Sequence, residues 1–175
     1  MNASAVQIRP VDFEPALLPG LAEVLLDCVE GGASVSFMSP LAYADAMAFW
    51  QSAMESAARG ERILLIAEDH AHQILGTVQV LLNLPENQPH RGDLAKMLVH
   101  RRARRRGLGA SLVQAAEHAA RARGRSLLVL DTVTGGDAER LYVRLGWQRV
   151  GEIPGYALWP RGGLCSTTYF YKQLR

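Results

Sequence analysis

With 175 residues, a hydrophobic fraction of 49% and a charged fraction of 21%, the chain has the size and make-up of one globular domain with a sizeable core. A net charge of +2 argues against a nucleic-acid polyelectrolyte, and two cysteines far apart in sequence, Cys28 and Cys165, exclude a disulfide framework or a cysteine metal quartet. No signal peptide opens the chain and no apolar run reaches the roughly 18 residues that span a bilayer, so a single cytoplasmic domain over residues 1–175 is expected, with no membrane partner.

Val6 to Ile8 reads as a short strand ended by Pro10. Leu17, Leu21, Val24, Leu25 and Cys28 fall at helical spacing between Pro15 and Glu30, and Gly31-Gly32 stops that helix. The next loop, Ala33 to Pro40, is unusually apolar. Tyr43, Met47, Trp50, Met54 and Ala57 predict one face of a second helix, from about Leu41 to Arg59. Arg62–Glu68 and Gln73–Leu82 predict two strands joined as a hairpin by the Asp69–His72 turn. After a polar loop to Gly92, Leu94–Val99 is a strand, Leu108 to Ala119 a helix closed by Gly124, and Ser126–Asp131 a strand buried on both faces. Asp137 is expected to cap a short helix through Arg144. Trp147–Gly151 and Thr167–Lys172 then close the chain as strands around a Pro/Gly-rich loop. This order predicts an α/β fold with one mixed sheet, in which the strand–turn–helix–strand segment from Leu94 to Asp131 is a parallel crossover unit.

The turn inside that unit is the most informative stretch. Five arginines crowd residues 101–106, and Gly107-Leu108-Gly109 then opens a helix. A helix N-terminus presents N–H groups without intrahelical partners and a partial positive charge, so this is a site for phosphate oxygens. Arg104, Arg105 and Arg106 would add charge-assisted donors there, around the backbone of Gly107, Leu108, Gly109 and Ala110. The spacing is neither that of a P-loop nor that of a dinucleotide-binding turn.

Arg104-x-x-Gly107-x-Gly109 instead resembles the Arg/Gln-x-x-Gly-x-Gly/Ala signature of the GNAT N-acetyltransferase superfamily. Ala138-x3-Tyr142-x3-Gly146-Trp147 is similar to that family's Ala-x3-Tyr-x3-Gly-Phe pattern, with Trp in place of Phe. The resemblance implies a GNAT-like single mixed sheet of about six to seven strands flanked by four helices. It also implies acetyl-CoA as acetyl donor and no metal. The stretches Gly31–Met38, Lys96–Val99, Leu130–Thr132 and Arg149–Tyr156 further resemble the tabtoxin-resistance acetyltransferases, which acetylate an amino group on a β-lactam amino-acid toxin. Asp93 stands where those enzymes would be expected to carry Glu.

From this resemblance, the backbone of Met97, Leu98 and Val99 is expected to pair with the pantetheine arm of the cofactor. Arg144 would share its 3′-phosphate, and Tyr142 would be the general acid towards the departing sulfur. Asp93 and Asp131 are the base candidates and would also fix the acceptor amine. Ser34, Phe37 and Tyr156 are placed over the acceptor. Each has a plainer alternative: a packed core tyrosine, strand-end carboxylates, a loop that plugs the core. The expected partner is a small-molecule amine rather than a nucleic acid, with the protein a monomer or homodimer. A peptide-amine acetyltransferase, an acyl-CoA sensor and a nucleic-acid module built on Arg101–Arg106 are the alternatives.

Overall fold

The computed structural model of the chain describes residues 6–174. Its seven strands are β1 (Gln7–Pro10), β2 (Arg62–Glu68), β3 (Ile74–Leu81), β4 (Arg91–Val99), β5 (Leu127–Val133), β6 (Gln148–Leu158) and β7 (Leu164–Gln173). They form one sheet in the order β1-β2-β3-β4-β5-β7-β6. Its helices are α1 (Leu18–Glu30), α2 (Tyr43–Ala58), α3 (Leu108–Ala122) and α4 (Asp137–Arg144). No helix among the described residues is long and apolar enough to cross a membrane.

Each face of the sheet buries its own core. Strand β2 supplies both, because successive side chains point to opposite faces. Ile63, Leu65 and Ala67 join Leu112, Ala116, Leu128 and Phe170 under α3 and α4. Leu64 and Ile66 join Leu21, Leu25, Trp50 and Met54 under α1 and α2. The expected α2 stripe is corrected at its start. Tyr43 is exposed, and Ala46 is the first buried residue, because the helix has made less than one turn when it reaches the sheet.

Three departures from the sequence reading bear on the site. Strand β4 begins at Arg91 rather than Leu94, so Asp93 lies inside it. Asp137 is not the cap of α4: Gly136 holds that position, and Asp137 is the first helical residue, paired with Arg140 at 2.5 Å. The final strands are much longer than expected, so Pro154-Gly155-Tyr156 belongs to β6 and not to a covering loop. The register shift between Ile153 and Ala157 is where the Pro and Gly are absorbed.

All neighbouring strands are antiparallel except β4 and β5, which are parallel and joined through α3. That pairing covers only Arg91, Gly92 and Asp93, opposite Leu127, Leu128 and Val129. Beyond it the two strands part. Strand β7 stays on β5 as far as Val133, and β3 stays on β4 as far as Val99, so a slot opens within the sheet.

A bulge lies beside that slot. Thr77 faces Leu98 and Gln79 faces Ala95, so Lys96 and Met97 together oppose Val78, and Lys96 has φ +48°. One extra residue exchanges the faces of everything after it. Leu94 accordingly packs under α3 while Leu98, four residues on, packs under α1 and α2.

Candidate active site

The C-terminal end of β4 runs into the N-terminus of α3. Gly107 occupies the cap position at φ +79°, and no side chain caps the helix. The first-turn N–H groups of Leu108, Gly109 and Ala110 therefore face outward without partners. A Cβ on Gly107 would meet nothing within 4 Å, so the approach to these groups is open. Gly109 serves packing as well: a Cβ there would lie 3.2 Å from Leu141 of α4 and 3.7 Å from the sulfur of Met97.

The arginine run divides into two parts. Arg101 is held by Asp27 at 2.8 Å, Arg102 by Glu23 at 3.0 Å, and Arg104 donates to the Val99 carbonyl at 2.9 Å and to Cys28 Sγ. Arg104 thus shapes the end of β4 and is not the free phosphate donor expected of it. Burial opposes the charge of Asp27, but the backbone and side chain of Arg101 prevail and hold its carboxyl below the usual range. Arg105 and Arg106 are exposed beside the helix start, and Arg144 is exposed on the last turn of α4.

Tyr142 lies on α4 and is buried, its ring 5.7 Å from that of Trp147 and 6.1 Å from that of Phe170. Burial, and then the charge of Asp131, push its hydroxyl above the ordinary phenol range, so it keeps its proton at neutral pH. Helix α4 is fixed from below by a buried carboxylate: Glu117 of α3 accepts from Trp147 Nε1 at 2.9 Å and from Lys172 Nζ at 2.7 Å.

The two acidic candidates share the α1/α2 face of the sheet. Asp93 pairs in register with Val129, and Asp131 lies two residues further along β5. Asp93 is tied to Arg91, and Asp131 accepts from Thr167 Oγ1 at 2.8 Å. Tyr169, the cross-strand partner of Asp131, senses both carboxylates. The sequence reading missed it. Its hydroxyl is pushed up to about 12, first by its 2.9 Å hydrogen bond with Tyr156, then by burial and by the two aspartates. Tyr156 therefore stands beside Tyr169, on a strand rather than on a loop.

The loop from Ala33 to Pro40 spans the far side. Ser34 donates to the Leu158 carbonyl at 2.8 Å, and the N–H of Ser39 donates to the Pro160 carbonyl at 2.8 Å. Ser34 thus fastens the loop to the β6–β7 hairpin, and Ser36 is the loop hydroxyl that enters the site. Phe37 packs edge-on against Phe49 at 5.2 Å. Between them and the bulge stands Lys96, a second residue the sequence reading left unassigned. Its ammonium donates to Ser36 Oγ at 3.1 Å, 5.9 Å from the ring centre of Phe37 and 5.7 Å from that of Phe49.

Comparison with known proteins gives the same outline. The sequence model of the Acetyltransferase (GNAT) family matches residues 33–147. A crystal structure of an N-acetyltransferase from Staphylococcus aureus Mu50 superposes with a TM-score of 0.81 at 16% identity, covering 98% of this chain and 100% of that one. A ribosomal-protein-alanine N-acetyltransferase from Brucella melitensis gives 0.81 at 22% identity, over 96% and 99% of the two chains. A GNAT superfamily phosphinothricin acetyltransferase from Sinorhizobium meliloti, in complex with acetyl-CoA, gives 0.78 at 16% identity, over 97% and 88%.

Proposed function

The chain belongs to the GNAT acetyltransferase family, and from that premise we propose that it moves the acetyl group of acetyl-CoA to the amine of a small, amino-acid-like acceptor by direct transfer. The observation that carries this reading is the slot. Strand β4 leaves β5 after Asp93, runs on unpaired on that side to Val99, and ends at an uncapped helix N-terminus.

The slot fits the donor in two respects. Its floor is a free strand edge, so those backbone groups of Met97, Leu98 and Val99 that point away from β3, the Val99 carbonyl held by Arg104 excepted, can pair with an extended amide-bearing arm as another strand would. Its far end joins the N–H groups of Leu108, Gly109 and Ala110 to the exposed guanidinium groups of Arg105 and Arg106, which suits a pyrophosphate. Arg144, exposed on the last turn of α4, would contact the remaining phosphate. Acetyl-CoA would supply an activated acyl carbon and a thiolate leaving group.

The chain's own residues would do the rest. The bulge leaves one of Lys96 and Met97 outside the ladder, so a backbone N–H in this stretch can polarise the reacting carbonyl. Asp131 and Asp93 would bind the acceptor ammonium and take up the proton it must lose before its lone pair is free to attack. Tyr142, which burial keeps protonated, would donate to the departing sulfur. Neither thiol suits a covalent step: burial pushes the Cys28 thiol up, and Cys165 is turned towards Ser34.

The names of the similar structures point to different acceptors, so the site must choose between them. The Ser34 and Ser39 hydrogen bonds tie the Ala33–Pro40 loop across to the β6–β7 hairpin, closing the groove that a peptide would need. This favours a small molecule, in line with the resemblance to the tabtoxin-resistance enzymes. The nucleic-acid alternative is weakened, because Arg101 and Arg102 are paired with acids of α1 and Arg104 is engaged by the Val99 carbonyl and Cys28.

Calorimetric titration with acetyl-CoA tests the reading. We expect micromolar binding, about −8 kcal/mol. Gly107→Asp should weaken it at least tenfold: the Cβ has open space, the left-handed backbone at φ +79° costs about 1–2 kcal/mol and is one that Asp adopts more readily than most residues, and the added carboxylate repels the pyrophosphate. Failure of the unaltered protein to bind would remove the acetyltransferase reading.

A further inference from the structure

A second polar cluster lies on the α1/α2 face of the sheet, beside the carboxylates and opposite to them in sign. Lys96 is its outer member, reached by Ser36 and flanked by Phe37 and Phe49. Behind it, Gln79 stands opposite Ala95 in the neighbouring strand, 1% exposed, and its Oε1 accepts from Arg62 Nη1 at 2.6 Å. The Gln79 Nε2 and Arg62 Nε donors have no partner.

This arrangement is costly as it stands. Buried donors are ordinarily paired, and a cation drawn partly out of water, as the half-buried Lys96 is, is ordinarily met by a carboxylate in contact. Here Lys96 has only a hydroxyl and two aromatic faces. Asp131 acts on it through space, and the charge of Arg62 works against it. Burial holds both Lys96 and Arg62 below their ordinary ranges. Arg62 on β2 and Lys96 on β4 carry cations with spare donors, and Asp93 on β4 and Asp131 on β5 carry carboxylates, so groups of both signs stand side by side on one face of the sheet.

Building on the acetyltransferase reading, we infer that Lys96, with Ser36 beside it and the Arg62–Gln79 pair behind it, receives a carboxylate of the acceptor, so that the enzyme selects amino acids over simple amines. The aspartates hold the ammonium end and Lys96 the acid end. The Phe37 and Phe49 rings exclude water and so strengthen the contact. A phosphate-sized anion is disfavoured, because Lys96 is the one ammonium at the front of the cluster and the rings narrow its surroundings.

The test is a matched set of acceptors. Acetylation is followed by thiol release from acetyl-CoA for a panel of L-amino acids and, for each, the amine lacking the carboxyl group. We expect kcat/KM to favour the amino acid at least tenfold in the best pair. Lys96→Met, which keeps the apolar stem against the two rings, should collapse that ratio through KM. Lys96→Arg should restore part of it. A decarboxylated amine used as well as its parent, a ratio unmoved by Lys96→Met, or no amino acid acetylated by a protein that binds acetyl-CoA would each overturn the inference. Lack of acetyl-CoA binding would instead mark failure of the acetyltransferase reading.

Discussion

Tyr142, the acid of the proposed mechanism, keeps its proton because it is surrounded by rings. With Trp147 and Phe170 on its flanks and Asp131 within range of its charge, the phenolate form is disfavoured twice over. Tyr142→Phe removes one hydroxyl and little packing, so kcat should fall on the order of 10²-fold with acetyl-CoA affinity unchanged. Because its pKa is raised, this residue predicts no loss of activity from its own ionisation as pH rises through 9. An alkaline limb that vanishes in Tyr142→Phe would contradict that assignment. The motif residues were legible in the sequence because their spacing is local. Lys96 and Tyr169 were not. Lys96 sits in the otherwise apolar run from Leu94 to Val99, and only the bulge gives it a direction. Tyr169 becomes informative only once its partner across the ladder is known to be Asp131.

At the scale of elements, the sheet is shaped by what its glycines permit. A Cβ on Gly76 of β3 would lie 2.8 Å from the Leu98 carbonyl and 3.0 Å from Leu112 of α3. One of these neighbours is backbone and the other is packed in the core, so neither yields easily. Gly76→Ala should therefore cost about 1–3 kcal/mol, read as a lower denaturation midpoint at unchanged slope. It should also disturb β4 immediately after its bulge. Most elements could be placed from periodicity, since the apolar stripes of α1 and α3 and the runs of β2 and β3 repeat at helical or strand spacing. The bulge could not be seen, because inserting one residue into a ladder leaves composition and hydrophobicity unchanged. The length of β6 and β7 was missed for the opposite reason: Pro154, Gly155, Gly162 and Gly163 signal a turn so strongly that they mask a hairpin continuing through them.

For the whole molecule, the site depends on two helices holding their places on either side of a slot that the sheet does not close. Glu117 links them. It lies on α3, its carboxylate binds the indole that follows α4, and Lys172 of β7 joins it to the sheet and also donates to the Leu145 carbonyl at 2.8 Å. Glu117→Ala leaves the indole N–H and the ammonium without their acceptor, a loss of about 2–3 kcal/mol. Because α4 carries Tyr142, turnover should fall more than acetyl-CoA binding does. Equal losses in both would show that Glu117 supports the fold without positioning the acid. The sequence reading supplied the parallel crossover, but this link joins residues 117, 147 and 172, a separation no local pattern reports.

The parting of β4 from β5 also decides what may enter. An unpaired strand edge on a protein surface invites any other polypeptide to add itself, and natural sheets guard against this. Here the edge lies in the middle of the sheet, with strands continuing on both sides and helices over both faces. The gap starts where the pairing ends, at Asp93 and Val129, so it is closed at that end. A full polypeptide strand, with side chains alternating above and below, has little room there. A bare, unbranched chain carrying an occasional amide does. Under the proposed reading, the edge lies open to a slender thread at a place where an added polypeptide strand would find little room.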